Sequence, residues 1–301
     1  MSTSAATRPA SYDEFKRRIR HMISPDGLKH GLALSLAPSD VVISPFPKCG
    51  TTWLQQVVHS LRTGGDLEFD DISAVVPWIE TAFDLGQNLD ALQRAMPRAF
   101  KSHLTWDAIP KGGRYIVALR DPRDALVSLY RFMEGWYFET DSIDIETFAR
   151  GEFLARDGRD YWDHLASWWR QRDRNDVLLL AYEHMHADLP GSIARIAAFI
   201  GIDLTSDLLT TVLEESSLAS MQAHKHKYDD KLMRERSEQV CGLPPGSDSA
   251  KVRSGKVGSH QELPKAIREE LDAIWADTIA REFGLADYQE LLEALTDLRQ
   301  A

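Results

Sequence analysis

Pro45-Phe46-Pro47-Lys48-Cys49-Gly50-Thr51-Thr52-Trp53 follows a short apolar run, Val41 to Ser44, and runs into a helical pattern over 51–63. Strand, tight loop and helix start form the layout of a phosphate cradle. Backbone N–H groups of the loop and the first helical turn converge on one point, and the helix dipole adds positive potential there. Gly50 lets the backbone come close to an anion, and Lys48 adds a mobile cation. The string is not the nucleotide loop G-x-x-x-x-G-K-[ST], because the lysine precedes the glycine and the first glycine is missing. Strand–loop–helix anion sites are common, so the layout alone narrows the ligand to an anion.

Bulk composition bounds the rest. The 301 residues suit one large α/β domain or two small ones. A hydrophobic fraction of 43% and a charged fraction of 27% are ordinary for a globular chain. The net charge of −11 argues against general binding to nucleic acid or anionic membrane. Any site for a polyanion must therefore be locally basic against the global field. Cys49 and Cys241 provide no disulfide framework, which points to a reducing compartment. Met1 to Ala10 lacks an apolar stretch of the kind secretory signals carry, and no run approaches the length of a membrane-spanning helix. The cytoplasm is the expected location.

Residues 1–10 read as a disordered tail and 11–301 as one domain. Ser11 looks like an N-cap, with Tyr12, Phe15, Ile19 and Met22 on one helical face and Pro25 and Gly27 ending the helix. Buried strands are expected at 41–44, 115–119 and 177–181, with a shorter one at 98–103. Helical patterns occupy 51–63, 122–136, 160–173, 189–200 and 264–283. This alternation predicts an α/β fold: a central parallel sheet flanked by helices on both faces. The polar, glycine-rich stretch 222–262 reads as a mobile lid loop.

The string 45–53 as a whole closely resembles the 5′-phosphosulfate loop of sulfotransferases that use 3′-phosphoadenosine 5′-phosphosulfate (PAPS), in particular the cytosolic type. Lys101-Ser102-His103-Leu104 is close to the K-[TS]-H-L string of the same family. On an extended segment Lys101 and His103 point to one side, where an imidazole can take a proton and an ammonium can steady an oxyanion. Arg120-Asp121-Pro122-Arg123-Asp124-Ala125-Leu126-Val127-Ser128 matches R-[DN]-x-x-D-x-x-x-S, where the family holds the cofactor's 3′-phosphate. Read on its own, this stretch is also a well-capped helix start. Arg253-Ser254-Gly255-Lys256-Val257-Gly258 lines up with the family's R-K-G-x-x-G lid, with Ser254 where lysine is usual and Lys256 a candidate to restore the charge. Tyr182 ends a strand like the tyrosine that meets the adenine. Ser216 and Leu218 stand at adenine-facing places, and Trp53 supplies another face. The family's C-terminal dimer motif is not evident between Gly258 and Trp275, so the oligomeric state stays open.

The resemblance implies a sulfotransferase with PAPS as donor, 3′,5′-ADP (PAP) as product and no metal. His103 is the expected general base. Lys48 and Lys101 stabilise charge on the transferring group and the leaving oxygen. The N–H groups of Cys49, Gly50, Thr51 and Thr52 cradle the 5′-phosphate, and Cys49, beside Lys48 at a helix N-terminus, is expected to have a lowered pKa. Val75, Val76, Pro77, Trp78, Phe83, Phe132, Trp136, Tyr137 and Phe138 crowd the segments that line the family's acceptor pocket, with Trp78 and Phe132 foremost. A small hydroxylated acceptor, a phenol or alcohol, suits such a lining. The alternatives are a small-molecule kinase on the same strand–loop–helix plan, or a nucleotide-binding module without chemistry.

Overall fold

The computed structural model describes residues 6–156, 160–247, 249, 251–252 and 257–297. Among these, the strands are β1 (Val41–Ile43), β2 (Ala99–Lys101), β3 (Arg114–Leu119) and β4 (Val177–Ala181). They form one all-parallel sheet in the order β2-β1-β3-β4, with Ile43 opposite both Lys101 and Ile116. Side chains alternate across the sheet. Val42, Tyr115, Val117 and Leu119 enter one apolar cluster, and Val41, Ile43, Ile116 and Ala118 enter the other. Helices cover both faces, so each strand is apolar nearly throughout, as the sequence pattern predicts.

The chain leaves β1 through the helix Thr51–Thr63 and returns as β2 on one side. From β3 it leaves through the helix Pro122–Trp136 and reaches β4 on the other. Connections from the adjacent strands β1 and β3 thus diverge. Their carboxyl ends bound the crevice in which open α/β sheets bind ligands.

Asp40 pins this arrangement. Its fully buried carboxylate accepts from Ala37 N at 2.7 Å, from Arg98 Nε at 3.0 Å and from Arg98 Nη2 at 2.5 Å. Its carbonyl accepts from Arg114 N at 2.8 Å. One residue therefore ties the starts of β1, β2 and β3 together.

The structure departs from the sequence expectations in three places. Pro25 does not end the first helix, which stops at Ile19; it opens a second one, Pro25–Leu32, capped by Ser24, because proline suits the first helical position. Residues 8–10 are not a loose tail. Arg8 donates to the carbonyls of Glu134, Gly135 and Phe138, and Pro9 O accepts from Glu139 N at 2.8 Å. The unpaired carbonyls at the end of the helix Pro122–Trp136 need such donors. The stretch 222–262 is not a plain loop either. It contains the helix Lys231–Cys241, with Met233, Ser237 and Cys241 buried on one face. Only Met233 and Cys241 are apolar on that face, too sparse a stripe to stand out among polar neighbours.

Asp40→Ala leaves the Arg98 guanidinium without its buried partner. It is expected to lower stability by about 3–5 kcal/mol, read as a reduced denaturant midpoint.

Candidate active site

The turn after β1 runs directly into the helix Thr51–Thr63. Gly50 is the N-cap of the helix Thr51–Thr63 at φ +96°, and no side chain caps the helix. The first N–H groups of a helix have no intrahelical partner, and Thr51 Oγ1 is also buried without one. A Cβ at residue 50 would lie 3.0 Å from the Tyr182 ring, so both backbone and space require glycine here. Lys48 also has positive φ, 68°, which is strained for a side-chain-bearing residue.

Cys49 departs from expectation. Its N–H donates to Phe46 O at 3.1 Å and so is not part of the cradle. Its thiol packs into the core at 1% exposure. Burial pushes the thiol up to about 12, outweighing the pull of Arg120 and Lys48. The expected lowered pKa fails because stripping water from a buried thiolate costs more than the neighbouring cations return.

Lys101, His103 and Lys48 line one cavity. Lys48 Nζ sits 4.1 Å over the Phe132 ring and Lys101 Nζ 3.9 Å over Trp78. Burial, then repulsion from Lys251 and the other nearby cations, brings Lys48 down to about 7. Burial and Lys251 bring Lys101 down to about 8. His103 Nδ1 lies 2.7 Å from Pro45 O. A carbonyl only accepts, so Nδ1 carries the proton and Nε2 keeps its lone pair. Burial and Lys101 hold His103 well below its ordinary pKa, so it is neutral. Trp78 meets the imidazole edge-on at 5.2 Å. The buried Glu80 accepts from His103 N at 2.8 Å.

The cavity, about 1580 Å³, exceeds the usual size for one small ligand. At one end stand Trp53, Tyr182, Ser216 and Leu218. Trp53 and Tyr182 meet edge to face at 5.7 Å, and Trp53 Nε1 donates to Ser216 O at 2.9 Å. Ser216 Oγ is buried without a partner. Arg120 lies 4.3 Å over the Tyr182 ring and donates to Lys48 O at 2.8 Å, with Ser128 on the same wall. The lining also carries apolar side chains: Ile19, Leu28, Phe132, Met133, Trp136 and Met233.

Of the acceptor-pocket candidates, Trp78, Phe132, Trp136 and Tyr137 line the cavity. Phe83 does not. It lies in a short 3-10 turn, half exposed, stacked on His30 at 3.9 Å. Val75, Val76 and Phe138 are core residues. Arg253, Ser254, Gly255 and Lys256 lie outside the described residues. The sequence reading missed Glu80, Asp230 and Lys251, which line the cavity beside the two lysines and His103. No local motif marks them; only the composition of 222–262, rich in charge, hinted at a role.

Residues 38–283 match the sulfotransferase domain. The chain belongs to the sulfotransferase family. Rat sulfotransferase 2A1 is 31% identical over 261 residues, spanning 80% of this chain and 84% of its own. Mouse sulfotransferase 2B1 is 30% identical over 219 residues, 66% of this chain and 63% of its own. Two solved structures share the fold with a TM-score of 0.65. Retinol dehydratase with androsterone and PAP is 22% identical, covering 85% of this chain and 87% of its own. Mouse SULT7A1 with PAP is 19% identical, covering 93% and 94%. This sulfotransferase is thus of the PAPS-dependent, cytosolic type, and the kinase alternative falls. Among the described residues, no helix is long and apolar enough to cross a membrane, and no three or more His, Cys, Asp or Glu residues gather as metal ligands.

A thiol pushed this high is almost entirely protonated at neutral pH. Alkylation of Cys49 in the native protein is expected to be slow and indifferent to nucleotide, becoming fast only on unfolding. Peptide mapping after timed iodoacetamide treatment reads this; fast native labelling would contradict the buried thiol.

Proposed function

We propose that this sulfotransferase moves the sulfuryl group of PAPS to the hydroxyl of a small, largely apolar acceptor, with His103 as general base. The observation that carries the reading is the His103 tautomer. Pro45 O fixes the proton on Nδ1, which leaves Nε2 to accept a hydroxyl proton in the cavity shared with Lys48 and Lys101.

The residues fit the donor. The uncapped N–H groups behind Gly50, with the unpartnered Thr51 Oγ1, suit the 5′-phosphate. Arg120 and Ser128 suit the 3′-phosphate. Trp53, Tyr182, Leu218 and the unpartnered Ser216 Oγ suit the adenine end. When bound, PAPS supplies the activated sulfuryl group. Lys48 and Lys101 provide positive charge at the reacting centre, so the reading needs no metal. The apolar lining, with Phe132 and Trp136, orients the acceptor and excludes water. The acceptor class is a phenol or alcohol, and the two buried free cysteines fit a cytoplasmic enzyme.

His103→Ala is expected to abolish sulfate transfer to a phenol and alcohol panel while 3′,5′-ADP still binds with near-wild-type affinity. Wild-type turnover in that variant would remove His103 as the base. A wild-type protein that binds 3′,5′-ADP but sulfates nothing would leave only a nucleotide-binding module.

Arg120→Ala is expected to weaken 3′,5′-ADP more than 5′-AMP. A charge-assisted phosphate contact is worth about 1.5–3 kcal/mol, or a factor of roughly 10–150 in Kd. Calorimetric titration of both nucleotides measures the difference, and equal losses would show that Arg120 does not read the 3′-phosphate.

A further inference from the structure

Asp230 stands at the start of the helix Lys231–Cys241 with a left-handed backbone, φ 48°. An aspartate at that place ordinarily caps the helix with its carboxylate. Here it makes no cap bond, and the residue lines the cavity instead. Its Oδ2 lies 2.5 Å from Lys251 Nζ. Its Oδ1 is buried without a partner, and the residue is 3% exposed. Lys48, on the loop after β1, and Lys101, at the end of β2, are its other cationic neighbours. Asp71 is a further carboxylate acting on it. Arg120 acts on Lys48, and Glu80 and His103 face Lys101.

We propose that Asp230 is a positioning residue for sulfuryl transfer: a resident counter-anion that holds Lys251 in an ion pair and keeps Lys48 and Lys101 charged where the donor's phosphosulfate binds. The proposal rests on the sulfotransferase reading of this site. Ammonium groups sharing a water-poor cavity repel one another, and the least costly relief is loss of a proton. A neutral amine neither holds a phosphate nor steadies a leaving oxygen. Burial would push the Asp230 carboxyl up, but Lys251, Lys101 and Lys48 more than offset it and hold it at about 2. Its charge is therefore permanent, and it raises both catalytic lysines in return. The same charge repels the donor, so the cations stay ready without gripping the product.

The test is the affinity for 3′,5′-ADP from about pH 5 to about pH 9, by calorimetry in two buffers of different ionisation enthalpy. A lysine whose pKa is low in the free protein rises on binding phosphate. Binding then takes up protons, and affinity falls as pH climbs past the free-protein value. In Asp230→Asn that fall is expected to begin about one pH unit lower, with greater proton uptake at neutral pH. Below the shifted fall, at about pH 5, where the lysines are mostly charged again, affinity should match or exceed wild type. Lys251→Met removes a repelling cation and should move the fall the other way. Adenosine 3′-monophosphate, which lacks the 5′-phosphate, should show neither shift.

A fall that stays in place in both variants, or moves upward in Asp230→Asn, overturns the proposal. If Asp230→Asn does not fold, Lys251→Met decides by the direction of its shift. Wild-type protein that fails to bind 3′,5′-ADP at any pH overturns the donor-site reading, and this inference with it. Wild-type binding with unmoved variants overturns this inference alone.

Discussion

Lys48 and Lys101 carry like charge into one cavity, and the sheet must hold them there against their repulsion and the loss of water. Parallel pairing of β1 and β2 puts Lys101 beside Ile43, just ahead of the loop that bears Lys48. The chain then surrounds each ammonium with what a low-dielectric site can offer. Phe132 and Trp78 present ring faces to them, contacts of roughly 0.5–2 kcal/mol each. Asp230 supplies the opposite charge and Lys251 shares it. Even so, both lysines stay well below their ordinary pKa. That poise matters for a site that must bind a polyanion and then release one. It also explains how a chain of net charge −11 sustains an anion site: the positive groups are sequestered in the crevice, away from the acidic surface.

Around that centre the fold assigns separate tasks to separate strand ends. The turn after β1 forms the cradle. The end of β2 delivers Lys101 and, two residues on, His103. Arg120 follows β3 and Tyr182 follows β4. The carbonyl of Pro45, in the cradle turn, fixes the tautomer of His103. The turn and His103 are therefore one mechanical unit, and a shift in the turn changes the proposed anion site and the proposed base together. Trp53 adds a second link: its indole joins the cradle helix to Ser216 at the far wall. The cavity runs past the reacting centre into apolar space formed by the first two helices and by the helix Lys231–Cys241. Those elements lie about two hundred residues apart in sequence, so this part of the cavity is assembled only by tertiary folding.

Motif-bearing segments were legible from sequence because their chemistry is local. The cradle needs consecutive N–H groups and one glycine, so 45–53 announces it. Lys101 and His103 share a side by strand alternation, and Asp121-Pro122 writes its own helix start. The apolar strands gave a parallel sheet with helices on both faces, since only two-sided burial calls for such runs. What burial does to a group was not legible. Cys49 looked activated from its neighbours in sequence, yet tertiary packing seals it from water and reverses the sign of its shift. Phe83 looked like pocket lining, yet the 3-10 turn carries it onto His30. Arg8 looked like part of a free tail until the end of the helix Pro122–Trp136 offered it carbonyls.

The sequence by itself determined the order of the strands, the class of fold and the residues proposed to hold the donor, because these depend on backbone periodicity and on groups a few positions apart. Only the tertiary structure decided the electrostatics of the reacting centre. Asp230 and Lys251 lie more than a hundred residues from Lys48 and Lys101, in a stretch without a readable motif. Charge interactions act through space and grow as water is excluded. Their partners are therefore set by the closing of the cavity, which no local pattern encodes.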